Sequence, residues 1–218
     1  MGYLARMAAA CYKSAAMKPL VVLGTRNRKK GQELFALLAP LGISLATLAD
    51  FPESLEVAET GDTFAENARL KAVVQAKHLN RWVLGEDSGL AVDALQGAPG
   101  VYSARYSGEG ATDATNNEKL LAALAALPPE KRTAYYVCHA VLADPQGEVR
   151  AESTGRCGGR IRLAPAGSGG FGYDPLFEVV EYHRTFGELS PAVKSALSHR
   201  GRAIRQLVPD LLRSLAEP

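Results

Sequence analysis

The chain has 218 residues, of which 47% are hydrophobic, and its formal net charge is +2 at pH 7. This hydrophobic content is sufficient for a complete core, and the nearly neutral charge argues against nucleic-acid binding through bulk charge. No apolar run approaches the length of a transmembrane helix, so we expect no membrane partner. The three cysteines, Cys11, Cys138 and Cys157, lack Cys-x-x-Cys spacing. We therefore expect no structural zinc site and predict reduced thiols in a cytoplasmic protein.

Residues 1–17 differ in composition from the rest of the chain. They include Arg6 and Lys13 but no acid, and their apolar run is too short for a signal peptide. We interpret them as a leader, either a flexible tail or the product of a start upstream of Met17. Residues 18–218 are predicted to form a single domain.

The first predicted element is a buried strand followed by a cationic loop. Residues 20–24 form a continuous apolar run, which is typical of a buried parallel strand. Residues 34–41 place apolar side chains at helical spacing. Between them lies Thr25-Arg26-Asn27-Arg28-Lys29-Lys30. Cations at a helix N-terminus oppose the helix dipole, so this loop suits a bound polyphosphate. The alternative is a solvated basic face.

A second strand and a capped helix follow. Residues 43–48 alternate in polarity and predict a strand. The sequence Thr63-x-x-Glu66 is a capping box that begins a helix extending to about Asn80. Lys71 lies one residue beside the predicted buried stripe of that helix, so its side chain either reaches a cleft or extends along the surface.

The stretch Glu86-Asp87-Ser88-Gly89 follows the apolar run Trp82-Val83-Leu84. We predict a short buried strand with the two acids at its end, where ligands bind in α/β folds. Adjacent buried acids need a cation or a shared proton. Mg²⁺ fits, because it takes oxygen ligands and often holds phosphate as well. The alternative is a solvated turn, since Asp-Ser-Gly is common in turns.

The middle of the chain predicts a helix and a hairpin. Residues 113–127 have helical character and end at two prolines. Residues 133–143 and 148–156 are strand-like and are joined by a turn. We expect this hairpin to project from the main sheet as a lobe.

A glycine-rich stretch contains the pattern Gly-x-Gly-x-x-Gly at Gly167, Gly169 and Gly172. A dinucleotide-binding fingerprint would require a helix to begin there, but Pro175 and a strand-like segment follow instead. Glycines at this density allow the backbone to approach a ligand closely. The aromatic side chains that flank Gly172 could stack on a base, whereas the alternative is an ordinary flexible turn.

The last predicted element is a helix that begins near Ser198, a favourable N-cap residue. His199 and Arg200 then lie in the first turn, where cations are unfavourable unless an anion binds. The alternative is that His199 and Arg200 are ordinary surface residues without a ligand. Pro209 lies inside the continuing apolar pattern, and we expect a kink or break there.

Together these stretches fit a nucleoside polyphosphate bound with Mg²⁺. No covalent nucleophile stands out, because Ser88 has no evident histidine partner in the sequence. Metal-assisted attack of water on phosphorus is the simpler chemistry, with a carboxylate that orients or deprotonates the water.

Five motifs, in this order, resemble those of the inosine triphosphate pyrophosphatase family, over about Lys18 to the C-terminus. They are Thr25-x-Asn27-x-x-Lys30, residues 86–90, residues 97–105, residues 169–175 and Lys194-Ser195-Ala196-x-Ser198-His199-Arg200-Gly201. The resemblance implies an α/β fold with an elongated, two-lobed mixed sheet flanked by helices, and an active site in the cleft between the lobes. It also implies a homodimer and Mg²⁺-dependent hydrolysis of dITP, ITP and XTP to the monophosphate and pyrophosphate.

The resemblance also implies residue roles. Asp87 is expected to be the catalytic acid/base and a Mg²⁺ ligand, and Glu59 the second metal ligand. The expected phosphate-binding residues are Thr25, Arg26, Asn27, Arg28, Lys29, Lys30 and Lys71. The expected nucleotide-binding residues are Ser88, Phe171, Gly172, Tyr173, Asp174, Lys194, His199 and Arg200. The family usually has small residues where this chain has Arg26 and Lys29.

Two alternatives remain open at the level of sequence. One is a related Maf-like nucleotide pyrophosphatase with a different base preference. The other is a non-catalytic nucleotide-sensing or RNA-binding module that keeps the pocket, although the presence of Asp87 argues against it.

Overall fold

The computed structural model describes residues 19–216, so the predicted leader lies outside the described residues. Seven strands form one mixed sheet in the order β2-β1-β3-β4-β5-β6-β7. The strands are β1 (Leu20–Leu23), β2 (Ser44–Thr47), β3 (Trp82–Val92), β4 (Thr133–Ala143), β5 (Val149–Ile161), β6 (Phe177–Val179) and β7 (Arg184–Thr185). The helices are α1 (Arg28–Leu38), α2 (Phe64–Leu79), α3 (Asp113–Ala123), α4 (Pro191–Leu197) and α5 (His199–Ala216). The predicted α/β class with a mixed sheet and flanking helices is confirmed.

Strand β3 is longer than predicted and occupies the centre of the sheet. It pairs in parallel with β1 as far as Leu84 and antiparallel with β4 from Val83 to Val92. The prediction of a short strand with acids at its end is therefore wrong. What ends near the acids is β1, and the same edge of β3 is covered again from Leu90 to Val92, where Leu90 N donates to Ser103 Oγ and Val92 N donates to Ala98 O.

The hairpin of β4 and β5 does not project from the sheet. Strand β4 lies between β3 and β5, and β5 lies between β4 and β6, so the expected lobe is not formed by this hairpin. The apolar residues of β4 explain the difference, because Cys138, Ala140 and Leu142 are buried on one face and Val141 and Ala143 on the other.

Helices cover both faces of the sheet at its centre. The predicted alanine stripe of α2, at residues 68, 72 and 76, is completely buried against the sheet. A Cβ atom at Gly85 of β3 would lie 2.7 Å from the backbone nitrogen of Ala72, so only glycine permits this close approach. On the opposite face α5 packs in the same way, because a side chain at Gly155 would meet the carbonyl of His199.

Helix α2 has the predicted capping box, in which Thr63 accepts from Glu66 N and the Glu66 carboxylate accepts from Thr63 N. Helix α3 ends at Ala123, four residues before the predicted end at Leu127. Arg132 donates to the carbonyls of Leu124 at 2.8 Å and Leu127 at 2.9 Å. These bonds satisfy carbonyl groups that a continued helix would not expose.

Helix α5 runs without interruption past Pro209, so the expected break does not occur. Leu207 and Leu211, on either side of the proline, are both buried in the core. Packing on both sides holds the helix together although the proline removes one backbone hydrogen bond. None of the helices between residues 19 and 216 is both long and apolar enough to cross a membrane.

Candidate active site

Two adjoining cavities open where β1 ends and β3 continues. One, of about 270 Å³, lies beside the N-terminus of α1 and is called the α1 cavity. The other, of about 100 Å³, lies beside the N-terminus of α5 and is called the α5 cavity. Asn27, Lys30 and Ala104 line both, so the two cavities form one cleft.

The cationic loop and the first turn of α1 form one wall of the cleft. Helix α1 begins at Arg28, and the Asn27 side chain caps it by accepting from Lys30 N at 3.1 Å. The first turn contains no acid, so the cations at positions 28–30 face the positive end of the helix dipole. This confirms the predicted strand–loop–helix geometry, and an anion bound there would offset the repulsion.

The two adjacent acids of β3 point to opposite faces of the sheet, as neighbouring strand residues do. Asp87 faces α2 and contacts Lys71, whereas Glu86 faces α5 and contacts Arg200. They therefore do not share one cation or one proton, as their adjacency in sequence led us to expect. Each acid has its own partners and its own role.

Asp87 lies behind Lys71, which lines the α1 cavity. Lys71 Nζ lies 2.8 Å from Asp87 Oδ1 and 2.9 Å from Glu59 Oε1, so the Lys71 side chain reaches the cleft. Burial raises the pKa of Asp87 although Lys71 and Lys30 act to lower it. Burial acts to lower the pKa of Lys71, but the carboxylates of Asp87, Glu86 and Glu59 outweigh it and the net shift is upward.

The other oxygen of Asp87 is the strongest indication of a missing partner. Asp87 Oδ2 is buried and has no hydrogen-bond partner among the described residues. No group of three or more His, Cys, Asp or Glu side chains in residues 19–216 forms a metal-binding cluster. Asp87 and Glu59 alone are the kind of sparse carboxylate set that suits Mg²⁺, because water and substrate phosphates complete its octahedral shell.

Glu86 is held in its charged form. It is completely buried, with Arg200 and Lys30 at 3.3 Å and the Cys138 thiol donating to it at 3.2 Å. Burial acts to raise the pKa of Glu86, but Arg200, Lys30 and Lys71 hold it well below its usual value. The two neighbouring acids thus have pKa values displaced in opposite directions, a pattern that separates acid–base roles from structural ones.

Aromatic and histidine rings form the base of the α5 cavity. The rings of Tyr136 and His199 are stacked with centroids 4.5 Å apart. Burial, and then Arg200, hold the pKa of His199 well below its usual value, so the imidazole is neutral. Tyr173 is almost completely buried and its hydroxyl donates to Ser103 O at 2.9 Å, so its ring is part of the core. Phe171 is half-buried and lines the cavity.

Asp174 fixes the glycine-rich segment. Its Oδ2 accepts from Phe171 N at 2.7 Å and from Lys194 Nζ at 2.6 Å. A side chain at Gly170, where φ is +73°, would collide with that carboxylate. Burial raises the pKa of Asp174, while Lys194 acts to lower it.

Arg200 is 1% exposed and contacts two carboxylates, those of Glu33 and Glu86. It donates to Glu33 at 2.5 Å and to Ser88 Oγ at 2.9 Å, and it contacts Glu86. Glu33 also accepts from Lys194 at 2.7 Å. Two buried atoms in this cavity, Arg200 Nε and His199 Nδ1, have no partner among the described residues.

The structure places most of the predicted site residues along this cleft. Arg26 lines the α1 cavity, but its guanidinium donates to Ser54 O at 2.8 Å. Arg28 lines a neighbouring cavity that shares Thr25, Arg26 and Asn27 with the α1 cavity, and Lys29 lies 3.8 Å from Asp113. The α1 cavity is lined by Thr25, Arg26, Asn27, Lys30, Glu59 and Lys71. The α5 cavity is lined by Asn27, Lys30, Ser88, Phe171, Gly172, Tyr173, Asp174, Lys194, His199 and Arg200.

Sequence reasoning missed three polar residues that organise the cleft. Glu33 links two buried cations, Asp113 accepts from Gly172 N at 2.9 Å, and Ser103 accepts from Tyr173. Only Glu33 left a signal, because it is a single acid one turn after a run of cations. The other two act on partners that are distant in sequence.

An α/β protein with a cation-lined cleft of this kind invites comparison with known families. The model of the Ham1 family matches residues 21–210, so the chain belongs to the Ham1 family, and the motif resemblance is confirmed. A dITP/XTP pyrophosphatase of Rhodopirellula baltica is 55% identical over 193 residues, which are 88% of this chain and 93% of that protein. A dITP/XTP pyrophosphatase of Listeria monocytogenes is 49% identical over 192 residues, with coverage of 88% and 94%.

Solved structures agree with the fold. A HAM1 protein from Coxiella burnetii superposes with a TM-score of 0.81 at 40% identity, covering 89% of this chain and 99% of that one. A nucleoside-triphosphatase / dITP/XTP pyrophosphatase from Mycobacterium abscessus gives a TM-score of 0.70 at 46% identity, covering 88% and 99%.

Proposed function

We propose that this chain hydrolyses dITP, ITP and XTP to the nucleoside monophosphate and pyrophosphate, which removes abnormal purine nucleotides from the pool. The two bacterial relatives named above are called dITP/XTP pyrophosphatases, which supports the proposal. One observation carries the proposal: an acid–lysine–acid cluster and a cationic helix start share a cleft with a pocket that contains the unpartnered donor Arg200 Nε.

The triphosphate would lie in the α1 cavity. Backbone N–H groups at the start of α1, Lys30 and Lys71 supply donors and positive charge for phosphate oxygens. In the absence of phosphate, Lys71 is held between Asp87 and Glu59. Phosphate oxygens can replace one of these carboxylates as its partner, so Lys71 is positioned to guide the anion.

Asp87 Oδ2 and Glu59 fit a Mg²⁺ ion. When bound, the ion neutralises charge on the phosphates. The remaining chemistry belongs to the chain. Asp87 orients a water molecule and accepts its proton as the water oxygen bonds to phosphorus, and the α–β anhydride bond breaks to release pyrophosphate.

The base would lie in the α5 cavity against Phe171. A 6-oxo group is an acceptor, and the buried Arg200 Nε is a donor without a partner in the described residues. Adenine presents an amino donor at that position, so donor would face donor and a buried group would stay unpaired. Such a mismatch costs on the order of 1–3 kcal/mol per group.

The test is pyrophosphate release from a panel of nucleotides with Mg²⁺ added. We expect turnover of ITP, dITP and XTP and strong rejection of ATP. Preferred turnover of dTTP or UTP would indicate a Maf-like pyrophosphatase instead. Binding without turnover of any nucleotide would indicate a non-catalytic module.

The homodimer implied by the resemblance and the cytoplasmic location favoured by the sparse cysteines belong to the same proposal. Cys138 and Cys157 are buried and free, which fits a reducing compartment. Sedimentation equilibrium of the full chain tests the dimer, and a monomer at micromolar concentration would refute it.

A further inference from the structure

Helix α3 holds the segment that carries Phe171, although no residue of α3 was expected to take part in the site. Both backbone groups of Gly172 are bound to its first two turns. Asp113 Oδ2 accepts from Gly172 N at 2.9 Å, and Asn117 Nδ2 donates to Gly172 O at 3.0 Å. Asp113 and Asn117 are four residues apart and therefore share one face of the helix.

Asp113 also reaches across the rim of the cleft to the cationic loop. The same oxygen that accepts from Gly172 lies 3.8 Å from Lys29 Nζ. Lys29 in turn lies 5.8 Å from the centroid of the Phe171 ring. One carboxylate thus connects the first turn of α1 with the segment at residues 171–173.

The α5 cavity is small for its proposed occupant. Its volume of about 100 Å³ is well below the roughly 300–1,000 Å³ of typical ligand pockets. Part of its wall must therefore move when a purine enters. Phe171 is half-buried in this wall, and its segment is where α3 is attached, so we take the segment at residues 171–173 to be the part that moves.

We propose that Asp113, supported by Asn117, is a positioning residue for the base: it returns the segment at residues 171–173 to the closed position and couples that closure to the loop through Lys29. This inference rests on the proposed function. It predicts that loss of the hydrogen bonds between Gly172 and α3 weakens substrate affinity and base discrimination. The rate of the chemical step at Asp87 should stay the same.

The test compares Asp113→Ala with Asp113→Asn in the full chain. Both substitutions remove the same negative charge, but only asparagine keeps an acceptor for Gly172 N. We expect the KM for ITP to be roughly 3–10-fold higher in Asp113→Ala than in Asp113→Asn, as for one lost hydrogen bond. The preference for ITP over ATP should also fall in Asp113→Ala, with kcat changed less than about twofold. Asp210→Asn, which alters an exposed aspartate paired with Arg213 on α5, is the matched control.

The contribution of Lys29 is measured by a double-mutant cycle. Lys29→Gln should raise the KM for ITP about 2–5-fold more in the wild-type background than in the Asp113→Asn background, the range for an exposed ion pair. Equal effects in the two backgrounds would overturn the coupling. Equal KM values for Asp113→Ala and Asp113→Asn would overturn the positioning role.

Failure of the proposed function can be distinguished from failure of the positioning role of Asp113. If the wild-type protein does not hydrolyse ITP, the same variants are titrated with IMP by calorimetry. Asp113→Ala should then bind IMP several-fold more weakly than Asp113→Asn, and equal dissociation constants would refute the inference independently of catalysis.

Discussion

The two halves of the cleft handle charge in opposite ways. In the α1 cavity, Lys30 lies in the first turn of α1 and Lys71 contacts Asp87, whose Oδ2 has no partner in the described part of the chain. In the α5 cavity, Lys194 and Arg200 are buried and paired with carboxylates at 2.5 to 2.7 Å. The first half keeps a buried carboxylate oxygen without a partner, whereas the cations of the second half are already bonded to buried or half-buried carboxylates.

This difference matches what the proposed substrate requires of each half. A triphosphate is bound mainly by charge, so Lys30 and Lys71, which line the α1 cavity, are suitable. A neutral base is distinguished by a few donors and acceptors in fixed positions. The ion pairs with Glu33 and Glu86 therefore hold the Arg200 guanidinium in place, and stacking on Tyr136 holds the His199 ring. Glu86 and Asp87, adjacent in sequence, belong to different halves.

The largest expected effect is at Asp87. Asp87→Asn removes the proton acceptor and one proposed metal ligand, so kcat for ITP should fall about 10²–10⁴-fold. Steady-state kinetics at saturating Mg²⁺ measures this, with circular dichroism as the check on folding. A variant that keeps nearly full turnover would rule out Asp87 as the base.

The second prediction concerns the paired charges of the α5 cavity. Arg200→Met leaves Glu86 and Glu33 without their main partner, and breaking a buried pair costs about 3–5 kcal/mol of unfolding free energy. Urea denaturation should show this loss. Arg69→Met, which breaks an exposed pair with Glu152, is the control and should cost less than about 1 kcal/mol. Similar losses in both variants would contradict the role of Arg200 as the main partner of buried carboxylates.

The third prediction concerns pH. Burial, with Arg200, holds the pKa of His199 well below its ordinary value, so the unfolded chain takes up this proton before the native protein does. The free energy of unfolding should therefore decrease as the pH falls below about 6.5, by up to about 1.4 kcal/mol per pH unit. In His199→Asn this part of the slope should be absent. His183→Asn, at an exposed position, controls for loss of a histidine.

Glu86 should add a second loss of stability at lower pH. Its pKa is held below the ordinary value, so its stabilising effect is complete above about pH 4.3 and decreases as the pH falls through the native value. In Glu86→Gln the free energy of unfolding should therefore depend less steeply on pH below about pH 4.3. An unchanged slope would show that Glu86 is not charged in the native state.

Sequence patterns predicted what depends on neighbouring residues. The strand before the cationic loop, the capping box at Thr63 and the N-cap role of Ser198, which accepts from Gly201 N at 3.1 Å, are all present. These features arise from local hydrogen bonds and periodicity. The residues that the family motifs name come from distant elements and line one cleft in the structure, while their roles stay predictions.

Patterns failed where distant residues decide the structure. The length of β3 depends on pairing with β4, which begins 41 residues after the end of β3. The separation of Glu86 from Asp87 depends on Arg200 and Lys71 on opposite faces of the sheet. The continuity of α5 past Pro209 depends on core contacts. Nothing local to these positions carries that information.

The smallest expected effect is at Arg26. Its guanidinium donates to Ser54 O, so we expect it to stabilise the wall of the α1 cavity instead of binding phosphate directly. Arg26→Ala should raise the KM for ITP less than about fivefold, with little dependence on KCl. A large increase that disappears at high salt would show direct contact with the triphosphate.

The central claim is that the α1 cavity performs the chemistry and the α5 cavity selects the base. The ratio of kcat/KM for ITP to kcat/KM for ATP tests it most directly, measured for wild type, Asp87→Asn and Arg200→Lys. Asp87→Asn should lower both kcat/KM values equally and leave the ratio unchanged. Arg200→Lys keeps the charge but removes Nε, and should lower the ratio by roughly tenfold. A ratio that collapses in Asp87→Asn and survives in Arg200→Lys would contradict the account.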